Sequence, residues 1–259
     1  MGTVSKALSL LGFFNHQRTE IGLSDLTRLS GLNKATVFRL MAELQEGGFV
    51  EQTGEGRAYR LGPEVLRLAA LREAAVPVLS VSRAILDALA EETGETAHLS
   101  LLRGGALHTL AHAYSARHAT RVMMDDAEVL SFHGTSSGLA VLAFAPEPFI
   151  EAVLAAPLPA HTAQTETDPQ AVRRALAGVR ETGLACSRGG FEAEVHSHGI
   201  PLFGPDRAVM GALAVAAPAS RMTPEHAAMI RAALRRAGAE MTRRIGGCPP
   251  DHWPREDAA

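Results

Sequence analysis

Two clusters of polar residues carry chemistry that a folded form of this sequence can use. The first runs from Asn33 to Arg39. Wound as a helix, Val37, Leu40, Met41 and Leu44 fall at i, i+3, i+4 and i+7 and form a buried stripe. That leaves Ala35, Thr36 and Arg39 projecting outward, with Asn33, Lys34 and Phe38 along the exposed N-terminal edge. A helix with an apolar rear face and small, polar and basic groups near its start suits the major groove of DNA. Thr36 and Arg39 can reach phosphates or base edges, and Lys34 is better suited to phosphate. Arg57, beside a glycine turn, has the reach for the neighbouring backbone or minor groove. The second cluster is Thr135-Ser136-Ser137-Gly138, which precedes an apolar helical run. Free N–H groups at a helix start can gather around an anion such as a carboxylate, although these residue types also serve as plain N-caps.

Other chemistry is weakly encoded. Of the 11 histidines, His196 and His198 share a face if they lie in a strand, and His98, His108, His112 and His133 are further candidates. His108 and His112 have a metal-like spacing, but on a strand they stand about 13 Å apart, and surface or core roles suit the histidines better. No serine occupies a Gly-x-Ser-x-Gly elbow and no acid/base pair falls on an obvious helix, so no catalytic or metal residue is assigned and no cofactor is expected. A metal-dependent hydrolase is the weaker alternative. Cys186 and Cys248, far apart, form neither a disulfide framework nor a metal knuckle, which fits a reducing cytoplasm. No apolar run approaches the roughly 18 residues of a membrane span, and the N-terminus lacks a signal-peptide pattern.

Net charge over the 259 residues is -3, so bulk electrostatics do not announce a nucleic-acid binder. Residues 1–62 hold seven Lys/Arg against six Asp/Glu. A unit this neutral could also be a sensor or protein-interaction module without DNA binding. What favours DNA is placement: the cations sit at the helix start and the turn, whereas Glu43 and Glu46 lie at the far end. Weak basicity also implies that avidity comes from oligomerisation.

These residues need a scaffold. Val4, Leu8, Leu11 and Phe14 predict a first helix, Ser24 is placed to cap a second that stops at Gly31, and Asn33 caps the third, ended by Gly47-Gly48. Residues 49–53 and 57–61 predict a hairpin around Gly54-Glu55-Gly56. The order is that of a winged helix-turn-helix over residues 1–62. Pro63 opens a linker helix over 63–77, and residues 78–247 read as an α+β domain, an antiparallel sheet flanked by helices. Within it the sequence predicts a hairpin at Gly104-Gly105, a helix from Ser136, another from Asp168-Pro169 to Gly183, strand-like runs at 190–202 and 209–216, and a last helix from Thr223-Pro224. The proline-rich, charged tail 248–259 predicts disorder.

The sequence resembles the IclR family of regulators over nearly its whole length. Residues 24–40 are similar to that family's helix-turn-helix, and Gly47-Gly48-Phe49-Val50-Glu51 and Tyr59-Arg60-Leu61-Gly62 to its wing and the start of its linker. Phe132-His133-Gly134-Thr135-Ser136-Ser137-Gly138 resembles the start of its central effector-domain helix, and Gly183-Leu184-Ala185 through Ile200-Pro201-Leu202 its effector-loop signature. The resemblance implies a GAF-like effector domain, homodimers paired through the DNA-binding half or tetramers, a palindromic operator, a small-molecule effector and no enzymatic activity. By position it implies effector contacts at Ser136, Ser137, Ser187 and Ser197. It also implies contacts at Ala214 and Ala216, where the family sometimes has serines, and at Met123. Arg188 either offers a cation to an acidic effector or points to solvent. Alanine, leucine and methionine walls imply an effector larger or more apolar than a two- or three-carbon acid.

Overall fold

A computed structural model describes residues 2–14, 18–53, 58–75, 78–125 and 128–254. The chain divides into two compact units, residues 1–76 and 77–259.

In the first unit α1 (Thr3–Leu11), α2 (Leu23–Ser30) and α3 (Lys34–Glu46) precede the antiparallel strands β1 (Val50–Thr53) and β2 (Ala58–Leu61), and α4 (Pro63–Ala75) follows. The stripe Val37, Leu40, Met41 and Leu44 is buried together with Leu10, Leu26, Val50 and Tyr59, so the period that defines α3 also defines the core. Ile21 adds a bridge to Tyr59, with both backbone N–H···O bonds at 2.9 Å. Gly31, at φ 66°, ends α2 in the left-handed region that glycine adopts without strain. Ser24 is not the cap of α2: the helix begins one residue earlier, after Gly22, and has no side-chain cap. Arg57 lies outside the described residues.

The second unit opens with α5 (Val78–Thr93). Its six-stranded antiparallel sheet has the order β5 (Val129–Leu130), β4 (Ala106–Ala113), β3 (Thr96–Arg103), β8 (Val209–Pro218), β7 (Val195–Phe203), β6 (Ala185–Arg188). One face carries α6 (Ser136–Ala143), α7 (Glu147–Ala155) and α8 (Pro169–Thr182), and the other carries α5 and α9 (Pro224–Arg244). Alternation along β7 decides the sides: Gly199 meets Ser136 of α6, while Ile200 meets Gly238 of α9. Leu142, Ile150 and Leu176 tie α6, α7 and α8 into one core with Phe203, each fully buried side chain contributing about 1.5–3 kcal/mol. The caps lie where the sequence placed them: Asp168 accepts from Gln170 and Ala171, and Thr223 from His226. Glu95, its side chain fully buried, accepts from both Nε (2.7 Å) and Nη2 (2.5 Å) of Arg221, which fastens the exit of β8 to the start of β3.

Two expectations need correcting. The strand predicted over 190–202 begins only at Val195, because residues 189–194 form a turn-rich loop between β6 and β7. Of the tail expected to be disordered, 255–259 lie outside the described residues, while within 248–254 Trp253 packs on Phe144 and Phe203 at ring-centroid distances of 5.3 and 5.2 Å, aromatic burial that its polar, proline-rich setting hides.

Candidate functional site

On α3 the residues singled out for DNA occupy one accessible edge. Asn33, Lys34, Ala35, Phe38 and Arg39 are exposed and Thr36 is half-buried. The Asn33 side chain is partly committed, since its Oδ1 accepts the Thr36 N–H at 2.8 Å and caps the helix. Lys34 and Arg39 form no ion pair with any described residue, whereas Arg28 is paired with Asp25 and Arg60 with Glu51. Cations left unpaired beside a helix start are available to phosphate. Phe38, 57% exposed, adds an apolar group that can meet a thymine methyl.

In the second unit a small cleft, partly open to solvent, lies beside the start of α6. The sheet register explains its floor. Ser187, Ser197, Ala216 and Thr96 stand in one cross-strand row over β6, β7, β8 and β3. The next row holds Ala185, Gly199, Ala214 and His98. Gly199 lets the first turn of α6 lie directly on the sheet, since a Cβ there would stand 2.9 Å from both the carbonyl carbon and oxygen of Ser136. Gly138 permits a second close approach, because a Cβ would stand 2.2 Å from the Ser131 oxygen. Every residue of α6 is buried.

Of the predicted effector contacts, Ser136, Ser137, Ser187, Ser197 and Ala216 line the cleft. Ser136 is 1% exposed and its Oγ has no hydrogen-bond partner among the described residues. The Ser137 Oγ lies 3.1 Å from His98 Nε2. Burial, with a smaller contribution from His112, lowers the His98 pKa to about 4, so the ring is neutral near pH 7. Thr135 caps α6 by accepting from the Gly138 N–H at 2.9 Å. The Ser187 Oγ donates to the Gly134 carbonyl at 2.7 Å and so braces the loop before α6.

Two predicted contacts are misplaced. Met123 is 64% exposed and its neighbour Met124 lines the cleft instead, a one-residue slip in an irregular segment without strand periodicity. Ala214 is fully buried in the Gly199 row, beneath the start of α6, and does not line the cleft. Arg188 is exposed and outside the lining. The structure adds an apolar wall of Val122, Met124 and Leu130, and Phe191, Glu128 and Glu192 near the mouth. Phe191 and Glu192 fall within the effector-loop run; nothing in the sequence marked Glu128. Burial, then Asp125 and Glu192, raises the Glu128 pKa.

Among the described residues no group of three or more His, Cys, Asp or Glu side chains is placed to hold a metal. His198, on the opposite sheet face from Ser197, has its pKa lowered to about 4 by burial and by Arg231, Arg188 and His196. No described helix is long and apolar enough to cross a membrane.

Comparison with known proteins accounts for both units. Residues 3–54 match the profile of the IclR helix-turn-helix domain, and residues 72–243 match that of the bacterial transcriptional regulator IclR C-terminal domain. The HTH-type transcriptional regulator XynR of Escherichia coli is 28% identical, the alignment covering 94% of this chain and 97% of that protein. A crystal structure from Silicibacter sp. TM1040, assigned to the same regulator class, is 68% identical with a TM-score of 0.95, covering 98% of this chain and 100% of that one. An IclR homologue from Microbacterium hydrocarbonoxydans, crystallised with 4-hydroxybenzoate, is 26% identical with a TM-score of 0.74 over 94% of this chain and 99% of that one.

Proposed function

The chain belongs to the IclR family of DNA-binding transcriptional regulators, and from that premise we propose how its two units work. The first unit binds a palindromic operator as a homodimer or a dimer of dimers, with α3 in the major groove. Lys34, Thr36 and Arg39 are its principal contacts; Asn33, Ala35 and Phe38 fill the remaining edge, and Arg57 reaches the adjacent backbone. The cleft beside α6 takes a small organic effector, a carboxylate or an aromatic compound, and its occupancy sets operator affinity. Like its relatives, the protein is a regulator and not an enzyme, and it acts in the cytoplasm.

One observation carries the effector reading: the buried Ser136 Oγ, without a hydrogen-bond partner among the described residues, at a helix start that lines a cleft. A buried hydroxyl without a partner costs about 1–3 kcal/mol. A ligand acceptor seated there removes that cost and also meets the positive end of the helix. Apolar walls favour a ligand with more hydrocarbon than a two- or three-carbon acid, and the 4-hydroxybenzoate complex of the Microbacterium homologue supports a carboxylate. Dimerisation is supported by exposed leucines and valine that a solitary unit would leave wet: Val4 and Leu8 on α1 are 72% and 56% exposed, and Leu66 and Leu71 on α4 are 75% and 55% exposed.

Footprinting the full chain on DNA upstream of its own gene tests this reading. Protection with two-fold symmetry, altered by an effector, is the expected result. Absence of sequence-selective protection would favour a module that has lost DNA binding.

A further inference from the structure

The charged groups of the effector cleft are all of one sign. Glu128 and Glu192 line it, and among the described residues no lysine or arginine does. Depth separates the acids from the hydroxyls: Ser136 and Ser137 are 1% and 0% exposed at the inner end, whereas Glu128 is half-buried and Glu192 exposed at the mouth. The apolar side chains of Val122, Leu130 and Phe191 complete the walls. A simple carboxylate entering this cleft satisfies the inner end, yet it brings a third negative charge into a space without a cation. A simple amine satisfies the mouth and leaves Ser136 and the positive end of α6 unmatched.

Resting on the reading of this cleft as the effector site, we propose that the effector is a zwitterion, a carboxylate joined through an apolar middle to an ammonium group. The carboxylate is seated at Ser136 and Ser137, and the ammonium is directed toward Glu128 and Glu192. Such a ligand carries its own counter-charge, so each end meets its complement. Phe191 offers a ring face to the same cation. The inner end does not depend on a charged side chain: His98, hydrogen-bonded to Ser137, is neutral near pH 7, so Ser136 and Ser137, with the free N–H groups of the first helical turn, receive the carboxylate. Burial first, and then crowding by Asp125 and Glu192, raises the Glu128 pKa.

The test is calorimetric titration of the full chain with matched pairs: 4-(aminomethyl)benzoate against 4-methylbenzoate, and 6-aminohexanoate against hexanoate. At least one ammonium-bearing member should bind roughly tenfold or more tighter than its partner, the scale of a hydrogen bond to a charged group. That ratio should collapse toward unity in the Glu128→Gln/Glu192→Gln double variant, whose substitutions relieve like-charge crowding and should not lower the thermal midpoint. Ser136→Ala should weaken both members of a pair by a similar factor. If the partners lacking the ammonium bind as well or better, if the ratio survives the double substitution, or if neither amino acid binds, the zwitterion is overturned. If the partners lacking the ammonium bind as tightly as the amino acids and weaken on Ser136→Ala, the cleft stands as the effector site while the zwitterion falls. If ligands bind with no dependence on Ser136, Glu128 or Glu192, the reading of the cleft itself falls.

Discussion

Replacing Gly199 with alanine should damage ligand sensing while leaving DNA binding intact. A Cβ at this position would stand 2.9 Å from the carbonyl carbon and oxygen of Ser136 and 3.2 Å from the Ser137 nitrogen, where ordinary contact begins at 3.4 Å. The start of α6 must therefore retreat by about half an ångström, carrying Ser136 and Ser137 with it. Overpacking of this kind costs about 1–3 kcal/mol, and restricting the unfolded chain returns about 0.4–1 kcal/mol. The net loss is about 1–2 kcal/mol, a fall of roughly 3–6 °C in the thermal midpoint for a unit of this size. Gly178 supplies the control: it lies in the exposed interior of α8 and a Cβ there meets nothing within 4 Å. Gly178→Ala should raise stability by up to about 1 kcal/mol. Thermal melts, operator affinity and calorimetric affinity for the matched ligand pairs would be measured on both variants. Equal midpoints for native protein and Gly199→Ala, with unchanged ligand affinity, would refute the claim that this contact sets the site.

Stability should also depend on pH through His98 and His198, whose pKa values burial lowers to about 4. The unfolded chain takes up protons near pH 6.5, so the contribution is complete above that pH and is lost as pH falls toward 4, on the order of 2 kcal/mol per histidine at pH 5. Thermal midpoints should fall from pH 7.5 to 5, and the fall should shrink in His198→Asn; a flat profile would contradict this. Arg221→Ala leaves the fully buried Glu95 carboxylate without both its hydrogen bonds, and because the arginine is itself 24% exposed the loss should sit near or just below the low end of the range for broken buried pairs, about 2–4 kcal/mol in urea unfolding. A change within experimental error would show the pair to be idle. Asn33→Ala removes the cap of α3 and should cost about 1 kcal/mol of stability in the first unit and weaken operator binding with it.

Most of what locates the sites was legible because it depends on local rules. The α3 stripe has helical periodicity, and its cap and glycine stop are adjacent in sequence. The same holds for α8, bracketed by Asp168-Pro169 and Gly183. What was misread depends on tertiary contact. Ser24 has the type of a cap, but the chain turns helical before it because Leu23 and Leu26 pack inward. The helix α7 was not anticipated; Pro146 stands at its N-cap and Pro148 in its first turn, where proline fits. Ala214 and Ala216 look equivalent in sequence, and only the seat of α6 over the Gly199 row buries one and opens the other to the cleft. Glu128 reaches the cleft from an irregular segment that carries no periodic signal.

The central claim, a regulator whose DNA-binding half reads an operator through α3, is tested most directly by fluorescence anisotropy on the upstream region of its own gene. Native protein and the Thr36→Ala/Arg39→Ala double variant would be compared at several salt concentrations. Arg39 is exposed and forms no ion pair with a described residue, and each lost base contact costs about 1–3 kcal/mol at each half-site. A dimer should therefore lose roughly a hundredfold or more in affinity, with a shallower salt dependence for the variant. Equal, sequence-selective affinity of the two proteins would contradict the account.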